Sequence, residues 1–203
     1  MRVAILDYGV GNLHSLANGL SAAGAEVQLE RDPARATDAA ALVLPGVGAF
    51  ATAAARLDAG RDALRAALEA GLPCLAICLG MQLLFEASDE GEGSGLGLVE
   101  GRVTRVTATR VPHMGWNRVE TTTEHLATRA GLRSAYFAHA FACRPRLDSV
   151  VSAWTSHDGD RFPAIVRVRR TVGVQFHPEK SSRAGIAFLR AFCEEAGTAG
   201  GAA

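Results

Sequence analysis

Hydrophobic positions recur with two different periods along the first half of the chain. Segments that are continuously apolar, or that alternate apolar with polar residues, are predicted to be strands: residues 2–7, 26–30, 41–44 and 73–77. Segments with apolar residues three and four positions apart are predicted to be helices: residues 12–23, 51–70 and a helix that opens at 81–86. This alternation of strands and helices is typical of a parallel sheet with right-handed crossovers.

Ligand sites in such sheets lie beyond the carboxyl ends of the strands. That rule selects three segments: Asp7–Gly11, Pro45–Gly48 and Cys78–Gln82. The first segment resembles a phosphate loop only superficially, because it lacks the glycine spacing of dinucleotide sites and of P-loops. A turn followed by Asn12 as a helix cap accounts for it.

The second half of the chain is richer in β-forming residues. A glycine-rich connection at 88–97 leads into five segments predicted to be shorter strands, some of them antiparallel: residues 101–107, 116–122, 134–142, 149–154 and 163–176. A last helix is predicted over 182–196, followed by a disordered tail at 197–203. We therefore predict one domain over 1–203 with an α/β fold. Its central sheet is expected to be mostly parallel and flanked by helices, with antiparallel strands in the second half.

Composition and charge exclude several classes of protein. The 203 residues carry 21 Lys+Arg and 21 Asp+Glu, which disfavours a strongly basic nucleic-acid binder. The sequence has no apolar run of about 18 residues that could span a membrane, and because residues 2–7 are predicted to be a strand we expect no signal peptide. The four cysteines form no CxxC pair and no zinc-finger spacing with histidines. We expect a cytoplasmic protein without a metal or a cofactor, and without nucleic-acid or membrane partners.

Cys78 lies at a predicted strand-to-helix turn. A lone thiol is most often a buried core residue. A tight turn at this place, however, points the side chain into the crevice at the sheet edge, and the N-terminus of the following helix favours a thiolate. Small residues at Ala76 and Gly80 let the turn close, and the N–H of Leu79 is a natural donor to an oxyanion.

A cysteine nucleophile needs a base, and His177 also ends a predicted strand. Glu179 follows two residues later, and side chains at i and i+2 of an extended segment point the same way. Pro178 is expected to keep the segment extended. Glu179 can then orient the imidazole toward the thiol, as in a catalytic triad. Without Cys78, a surface His–Glu pair near a turn would be the better interpretation.

The segment Gly46-Val47-Gly48 follows a third predicted strand, at 41–44. A plain glycine turn accounts for it. The functional interpretation is a second set of backbone amides that face the crevice and hold charge developing in a transition state.

Three motifs together resemble the class I glutamine amidotransferases, which work through a triad: Pro45–Phe50, Cys78–Gln82 and His177–Glu179. Four further segments are similar to the glutaminase-subunit family of imidazole glycerol phosphate synthase: Ser94–Leu98, Pro112–Asn117, Tyr136–Phe141 and His177–Ser182. The resemblance extends from Asp7 to the final helix and leaves out only the tail.

This resemblance implies hydrolysis of glutamine to glutamate and ammonia through a cysteinyl thioester. Cys78 would be the nucleophile, His177 the base and Glu179 its orienting partner. The N–H groups of Val47 and Leu79 would hold the oxyanion. The residues that would hold the glutamine are Gly46, Gly48, Gln82, His139, Ala140 and Phe141.

The resemblance also implies a heterodimer with a (β/α)8-barrel cyclase subunit, which receives the ammonia through a channel in histidine biosynthesis. Four residues are expected near that partner: His113, Met114, Trp116 and Lys180. Loop packing, or a solvated lysine, explains each of them equally well. Lys180 stands out because it is the only lysine among the basic residues.

The chain departs from the family pattern at two places. The family often has glycine where this chain has Ala76, and commonly has His-Ser-Tyr where this chain has His139-Ala140-Phe141. The missing hydroxyls predict altered affinity or coupling, with the chemistry retained. Two other interpretations stay open: a subunit of a different amidotransferase or another cysteine hydrolase, and an inert flavodoxin-like binding module.

Overall fold

The computed structural model of the protein describes residues 1–9, 13–121 and 123–198. The strands in those residues are β1 Arg2–Leu6, β2 Glu26–Glu30, β3 Ala41–Leu44, β4 Cys74–Ile77, β5 Ala87–Ser88, β6 Gly101–Arg105, β7 His113–Arg118, β8 Glu120–Thr121, β9 Ser134–His139, β10 Phe141–Pro145, β11 Val151–His157, β12 Asp160–Val168 and β13 Thr171–Val174. The α-helices are α1 His14–Ala22, α2 Pro33–Ala36, α3 Phe50–Leu57, α4 Arg61–Glu69, α5 Leu79–Leu83, α6 His125–Arg129 and α7 Ser182–Thr198. Short 3-10 helices cover Asp58–Gly60, Asp148–Val150 and Pro178–Lys180.

The principal sheet has the strand order β2-β1-β3-β4-β13-β12-β11-β8 within the described residues. Its first five strands are mutually parallel, and β12, β11 and β8 continue it in antiparallel pairs. Two smaller sheets join β10, β6 and β5, and β7 with β9. The predicted α/β fold, with a mostly parallel central sheet and antiparallel strands in the second half, is confirmed.

Hydrophobic side chains cover both faces of the sheet. In β1, Val3 and Ile5 belong to one apolar core, whereas Ala4 and Leu6 belong to the other. The first core is covered by α1, α6 and α7, and the second by α3, α4 and α5. Strands buried on both faces expose no side chain to water, which explains their continuously apolar sequences. No helix in the described part of the chain is both long and apolar enough to cross a membrane.

Three neighbouring parallel strands end at one edge of the sheet. Leu44 pairs with Ala76, and Ile77 pairs with Val174, so β3, β4 and β13 stop at nearly the same level. The chain leaves these ends as Pro45-Gly46, as Cys78 and as Gln175-Phe176-His177. The register therefore brings three of the sequence motifs to a common edge.

The helix predicted over 51–70 is divided in the structure. α3 ends at Leu57, a 3-10 turn follows, and α4 begins at Arg61. A Cβ added at Gly60 would lie 2.8 Å from Pro33 Cβ and 2.9 Å from the Ala34 N atom. Helical periodicity continues through the break, but the close approach of α2 bends the chain there.

Two predicted strands are likewise divided. The segment 163–176 contains β12 and β13, joined by a hairpin turn in which Arg169 has φ 52°. The segment 134–142 contains β9, which pairs with β7, and β10, which pairs with β6. Turns without glycine or proline gave no local signal at either place.

Two further predictions concern the C-terminal tail and the cap of the first helix. Helix α7 continues to Thr198, so Gly197 and Thr198 are helical and not part of a tail. Residues 199–203 and Asn12, the predicted helix cap, lie outside the described residues. Helix α1 begins at His14, after Leu13.

Candidate active site

Cys78 occupies the turn between β4 and α5. It lies at the N-cap position of α5 with φ 46° and ψ −102°. A positive φ is costly for a residue with a Cβ, on the order of 1–3 kcal/mol. The Cys78 N–H donates to the Val174 carbonyl across 2.6 Å, which ties the strained turn to β13. The sequence prediction of a tight strand-to-helix turn at this thiol is confirmed.

Two glycines let the backbone close around the thiol. A Cβ at Gly80 would lie 2.2 Å from the Leu44 carbonyl oxygen, and one at Gly46 would lie 2.9 Å from Cys78 Cβ. Ala76, where the family often has glycine, is fully buried in β4 and keeps its register with Leu44 and Gly173. The extra methyl group is thus accommodated in the core.

His177 and Glu179 form a buried pair beside Cys78. His177 Nδ1 lies 2.9 Å from Glu179 Oε1, and their side chains are 3% and 8% exposed. The expected extended segment is wrong, because Pro178–Lys180 forms a 3-10 helix that starts after His177. The tighter turn still brings the carboxylate to the imidazole, because His177 itself remains extended at φ −103° and ψ 98°.

The surroundings of His177 favour its charged form. Burial alone would lower the pKa of His177, but hydrogen bonding and attraction to Cys78 and Glu179 outweigh it and raise that pKa to about 10. The raised pKa favours the imidazolium at neutral pH, and Nδ1 faces Glu179, which leaves the second ring nitrogen for Cys78. An imidazolium beside a thiol favours the thiolate.

Val47 and Leu79, whose backbone N–H groups are expected to hold an oxyanion, lie in the two segments next to Cys78. Leu79 is the first residue of α5, so its N–H has no acceptor within the helix. Val47 lies half-buried in the loop between β3 and α3 and packs against the core that contains Cys78. Gly48 next to it has φ 117°, a conformation open to glycine. The assignment of these two N–H groups as oxyanion donors stays a prediction.

Two of the side chains expected to hold glutamine bind the same backbone carbonyl group. Gln82 Nε2 donates to the Phe141 oxygen across 3.0 Å, and His139 Nδ1 lies 2.9 Å from the same atom. Because a carbonyl only accepts, His139 carries its proton on Nδ1 and its Nε2 is an acceptor. Ala140 lies at the junction of β9 and β10, and its carbonyl accepts from the Val106 N–H across 2.9 Å.

A chain of side chains continues from His139 into β7. His113 Nδ1 lies 3.1 Å from His139 Nε2, and Asn117 Nδ2 lies 3.1 Å from His113 Nε2. Asn117 Nδ2 donates to His113 Nε2, so the proton of His113 is on Nδ1 and faces the acceptor His139 Nε2; in this arrangement both rings are neutral. Burial is the main cause that lowers the pKa of His113 to about 4 and that of His139 to about 3. Sequence reasoning found both histidines but not their contact.

The residues expected near a partner divide into buried and exposed groups. His113 is 3% exposed and stacks between Phe137 and His157, so its side chain is held inside the fold, and its expected place near a partner stays a prediction. Met114 and Trp116 are 65% and 56% exposed on β7. Lys180 is exposed at the end of the turn that carries Glu179. β7 presents alternate residues to opposite sides, which explains the division.

Gln175 is a site residue that sequence reasoning missed. It is fully buried, and its Nε2 atom lies 3.5 Å from Cys78 Sγ. A polar residue inside the apolar run Val172–Phe176, two positions before His177, was the available signal. In the part of the chain that the structure describes, no cluster of three or more His, Cys, Asp or Glu could hold a metal ion.

A family model and known relatives each match nearly the whole chain. The family model for Glutamine amidotransferase class-I matches residues 4–196. The chain is 48% identical to the imidazole glycerol phosphate synthase subunit HisH of Symbiobacterium thermophilum, over 93% of this chain and 91% of that protein. It is 42% identical to HisH of Halobacterium salinarum, over 95% and 92% of the two chains.

Solved structures share the fold. A crystal structure of a glutamine amidotransferase is 25% identical, with a TM-score of 0.74 over 96% of this chain and 98% of that one. A chain of the PurLQS structure from Thermotoga maritima, 18% identical, has a TM-score of 0.72 over the same shares.

Proposed function

Because the chain belongs to the class I glutamine amidotransferase family, with HisH subunits of imidazole glycerol phosphate synthase as its relatives, we propose that it is the glutaminase subunit of such a synthase. It hydrolyses glutamine to glutamate and ammonia. The observation that carries this proposal is the strained thiol of Cys78 at a helix N-terminus, in contact with a His177 that Glu179 holds from the other side.

The first half of the reaction forms a thioester. The Cys78 thiolate attacks the side-chain amide carbon of glutamine, and the carbonyl π electrons move onto oxygen. The N–H groups of Leu79 and Val47 donate to that oxyanion. As the oxyanion collapses, the C–N bond breaks and the His177 imidazolium gives its proton to the leaving nitrogen, so that ammonia departs.

The second half releases glutamate. His177, now neutral, takes a proton from a water molecule that attacks the thioester carbon. The second oxyanion collapses, the C–S bond breaks and the thiolate beside the imidazolium is restored. Glu179 keeps His177 Nδ1 protonated through both halves, which reserves Nε2 for the transferred proton.

Glutamine is held beside the thiol by the loop Gly46–Gly48 and by Gln82, His139, Ala140 and Phe141. Backbone groups at Ala140 and Phe141 replace the hydroxyl groups that the family commonly has there. Gln82 and His139 both donate to the Phe141 carbonyl, which fixes the junction of β9 and β10 beside α5 and supports a role for this junction in shaping the glutamine site.

The ammonia is consumed by a second chain, which we propose is a (β/α)8-barrel cyclase in a heterodimer. The relatives are named as subunits of a synthase, and this chain leaves two large apolar side chains, Met114 and Trp116, exposed on β7. Trp116 pairs with Tyr136, whose carbonyl accepts from the His177 N–H and whose N–H donates to Ser181. The exposed face is therefore joined to the turn that carries Lys180. We place the enzyme in the reducing cytoplasm, where its four buried thiols stay free.

Ammonia release from glutamine tests the proposal. The chain is assayed alone, with a barrel cyclase, and with that cyclase and its nucleotide substrate. We expect release to rise on addition of the partner and substrate. Cys78→Ala is expected to abolish it and to leave the circular dichroism spectrum unchanged.

Trp116→Ala is expected to weaken partner binding by about 2 kcal/mol, as loss of an aromatic anchor does. Leu147→Ala is the matched control, because Leu147 is a 64% exposed hydrophobic residue outside the proposed face. High activity that ignores the cyclase would assign the triad to another pathway. No activity in any mixture would support an inert module.

A further inference from the structure

Gln175 lies directly after β13, at the sheet edge that carries Cys78. Its backbone N–H donates to the Ala164 carbonyl across 2.9 Å, and its side chain is 0% exposed. The amide Nε2 is within 3.5 Å of Cys78 Sγ, which is a donor-to-sulfur distance. The neighbouring Val174 carbonyl binds the Cys78 N–H, so the same stretch of chain holds both the backbone and the sulfur of the nucleophile.

The oxygen of the same side-chain amide is unsatisfied. Gln175 Oε1 is buried without a hydrogen-bond partner in the part of the chain that the structure describes. Burying a polar atom without a partner destabilises a fold, and an apolar side chain of the same length fills the space without that cost. Stability therefore does not explain a glutamine here, whereas its contact with the sulfur does.

The alternation of the chain puts Gln175 and His177 on the same side. Phe176 between them packs edge-on against Phe137 and Phe188 in the core. The sulfur is thus approached by an amide and by an imidazole from one extended segment. The titratable groups that face it are His177 and, from β10, Cys143.

We propose that Gln175 is a further catalytic residue, which donates its Nε2–H to the sulfur of Cys78 and stabilises the thiolate. The inference rests on the proposed glutaminase function, in which sulfur carries negative charge twice. The first time is after the thiol proton has passed to His177. The second time is when the C–S bond of the thioester breaks and its electron pair returns to sulfur. The donor forms and breaks no covalent bond, and it serves both moments.

Alkylation of Cys78 by iodoacetamide as a function of pH tests this without requiring glutamine hydrolysis. The Cys78 peptide is quantified by mass spectrometry, and the buried Cys74, Cys143 and Cys193 are internal references. Gln175→Met removes the donor at nearly constant volume. We expect the pH midpoint of alkylation to rise by about one unit, and kcat for glutamine with the partner present to fall about 10- to 100-fold. The thermal midpoint should stay unchanged or rise.

Gln175→Glu keeps the shape of the side chain and puts a carboxylate against the sulfur. It is expected to raise the alkylation midpoint further than Gln175→Met does. Gln28→Met, on the exposed part of β2, is the matched control and should alter neither quantity. An unchanged alkylation profile in both Gln175 variants, or kcat within twofold of the parent, would overturn the proposal. A parent that is alkylated at low pH but hydrolyses no glutamine would overturn the proposed function instead and leave the role of Gln175 measurable.

Discussion

A single methyl group at Gly80 is expected to displace the nucleophile. In Gly80→Ala, the new Cβ would lie 2.2 Å from the Leu44 oxygen and 2.8 Å from the Leu44 carbonyl carbon, where ordinary contact begins at 3.4 Å. Both atoms belong to the backbone of β3, in the middle of the sheet, and cannot rotate away. All five residues of α5 are buried, so the helix has no free side toward which to move.

The required movement sets the size of the effect. The start of α5 must retreat from β3 by about 1 Å, and it carries Cys78 and the Leu79 N–H with it. A displacement of that size at reacting atoms costs about 100-fold in rate, and an overpacked core loses about 1–3 kcal/mol of unfolding free energy. We therefore expect kcat/KM for glutamine to fall about 100-fold in Gly80→Ala while the protein still folds.

Glutamate production by the reconstituted enzyme and urea denaturation measure the two quantities. Gly197→Ala is the matched control, because a Cβ there would meet only Met1 Sδ at 3.9 Å inside helix α7. It should leave activity unchanged and change the unfolding free energy by less than about 0.5 kcal/mol, because Gly197 lies in the last turn of the helix. A Gly80→Ala protein with parental kcat/KM and parental stability would refute the argument that this glycine sets the position of the thiol.

Two further substitutions test the electrostatics of the fold. Glu179→Gln removes a charge that helps to hold the pKa of His177 near 10; that pKa should move down toward 6.5, so the alkaline limb of the kcat/KM profile, where the imidazolium loses its proton, should shift to lower pH. An alkaline limb that stays in place would argue against Glu179 as the partner of His177. Arg167→Met leaves the fully buried Glu124 carboxylate without the guanidinium that binds it at 2.8 and 2.9 Å, and unfolding free energy at neutral pH should fall by about 3–5 kcal/mol. Most of that loss should be recovered in Glu124→Gln/Arg167→Met, and a single variant within 1 kcal/mol of the parent would contradict the assignment.

The parallel half of the fold follows from local sequence because its strands are buried on both faces. The apolar runs at 41–44 and 73–77 match β3 and β4 closely, and the register then brings Pro45 and Cys78 to one edge. The short helices α2 and α6 were not predicted, since four or five residues contain little more than one turn of periodicity. Their N-caps Asp32 and Glu124 become visible only when the chain is folded.

Tertiary packing also decided which residues complete the site. Gln82 and His139 both bind the Phe141 carbonyl, although Gln82 is 59 residues from Phe141 along the chain. No pattern within either segment specifies this contact. The three proposed triad residues could be named from sequence because Cys78 and His177 each come shortly after a strand and Glu179 is two residues from His177. Gln175 could not, because a glutamine in an apolar run is equally compatible with an edge strand that shows one face to water.

Several residues around the sulfur break local rules, as other residues do elsewhere in the described chain. Cys78 has a positive φ although it has a Cβ, Gln175 buries an oxygen without a partner, and Glu179 Oε2 is also buried without a partner in the described chain. Each feature destabilises the fold by an amount on the order of 1–3 kcal/mol, and the two apolar cores on either face of the sheet must offset them together. Relaxing any one of them would favour stability alone. The three features around this thiol are explained by the proposed chemistry, which an inert module built on the same scaffold would not need.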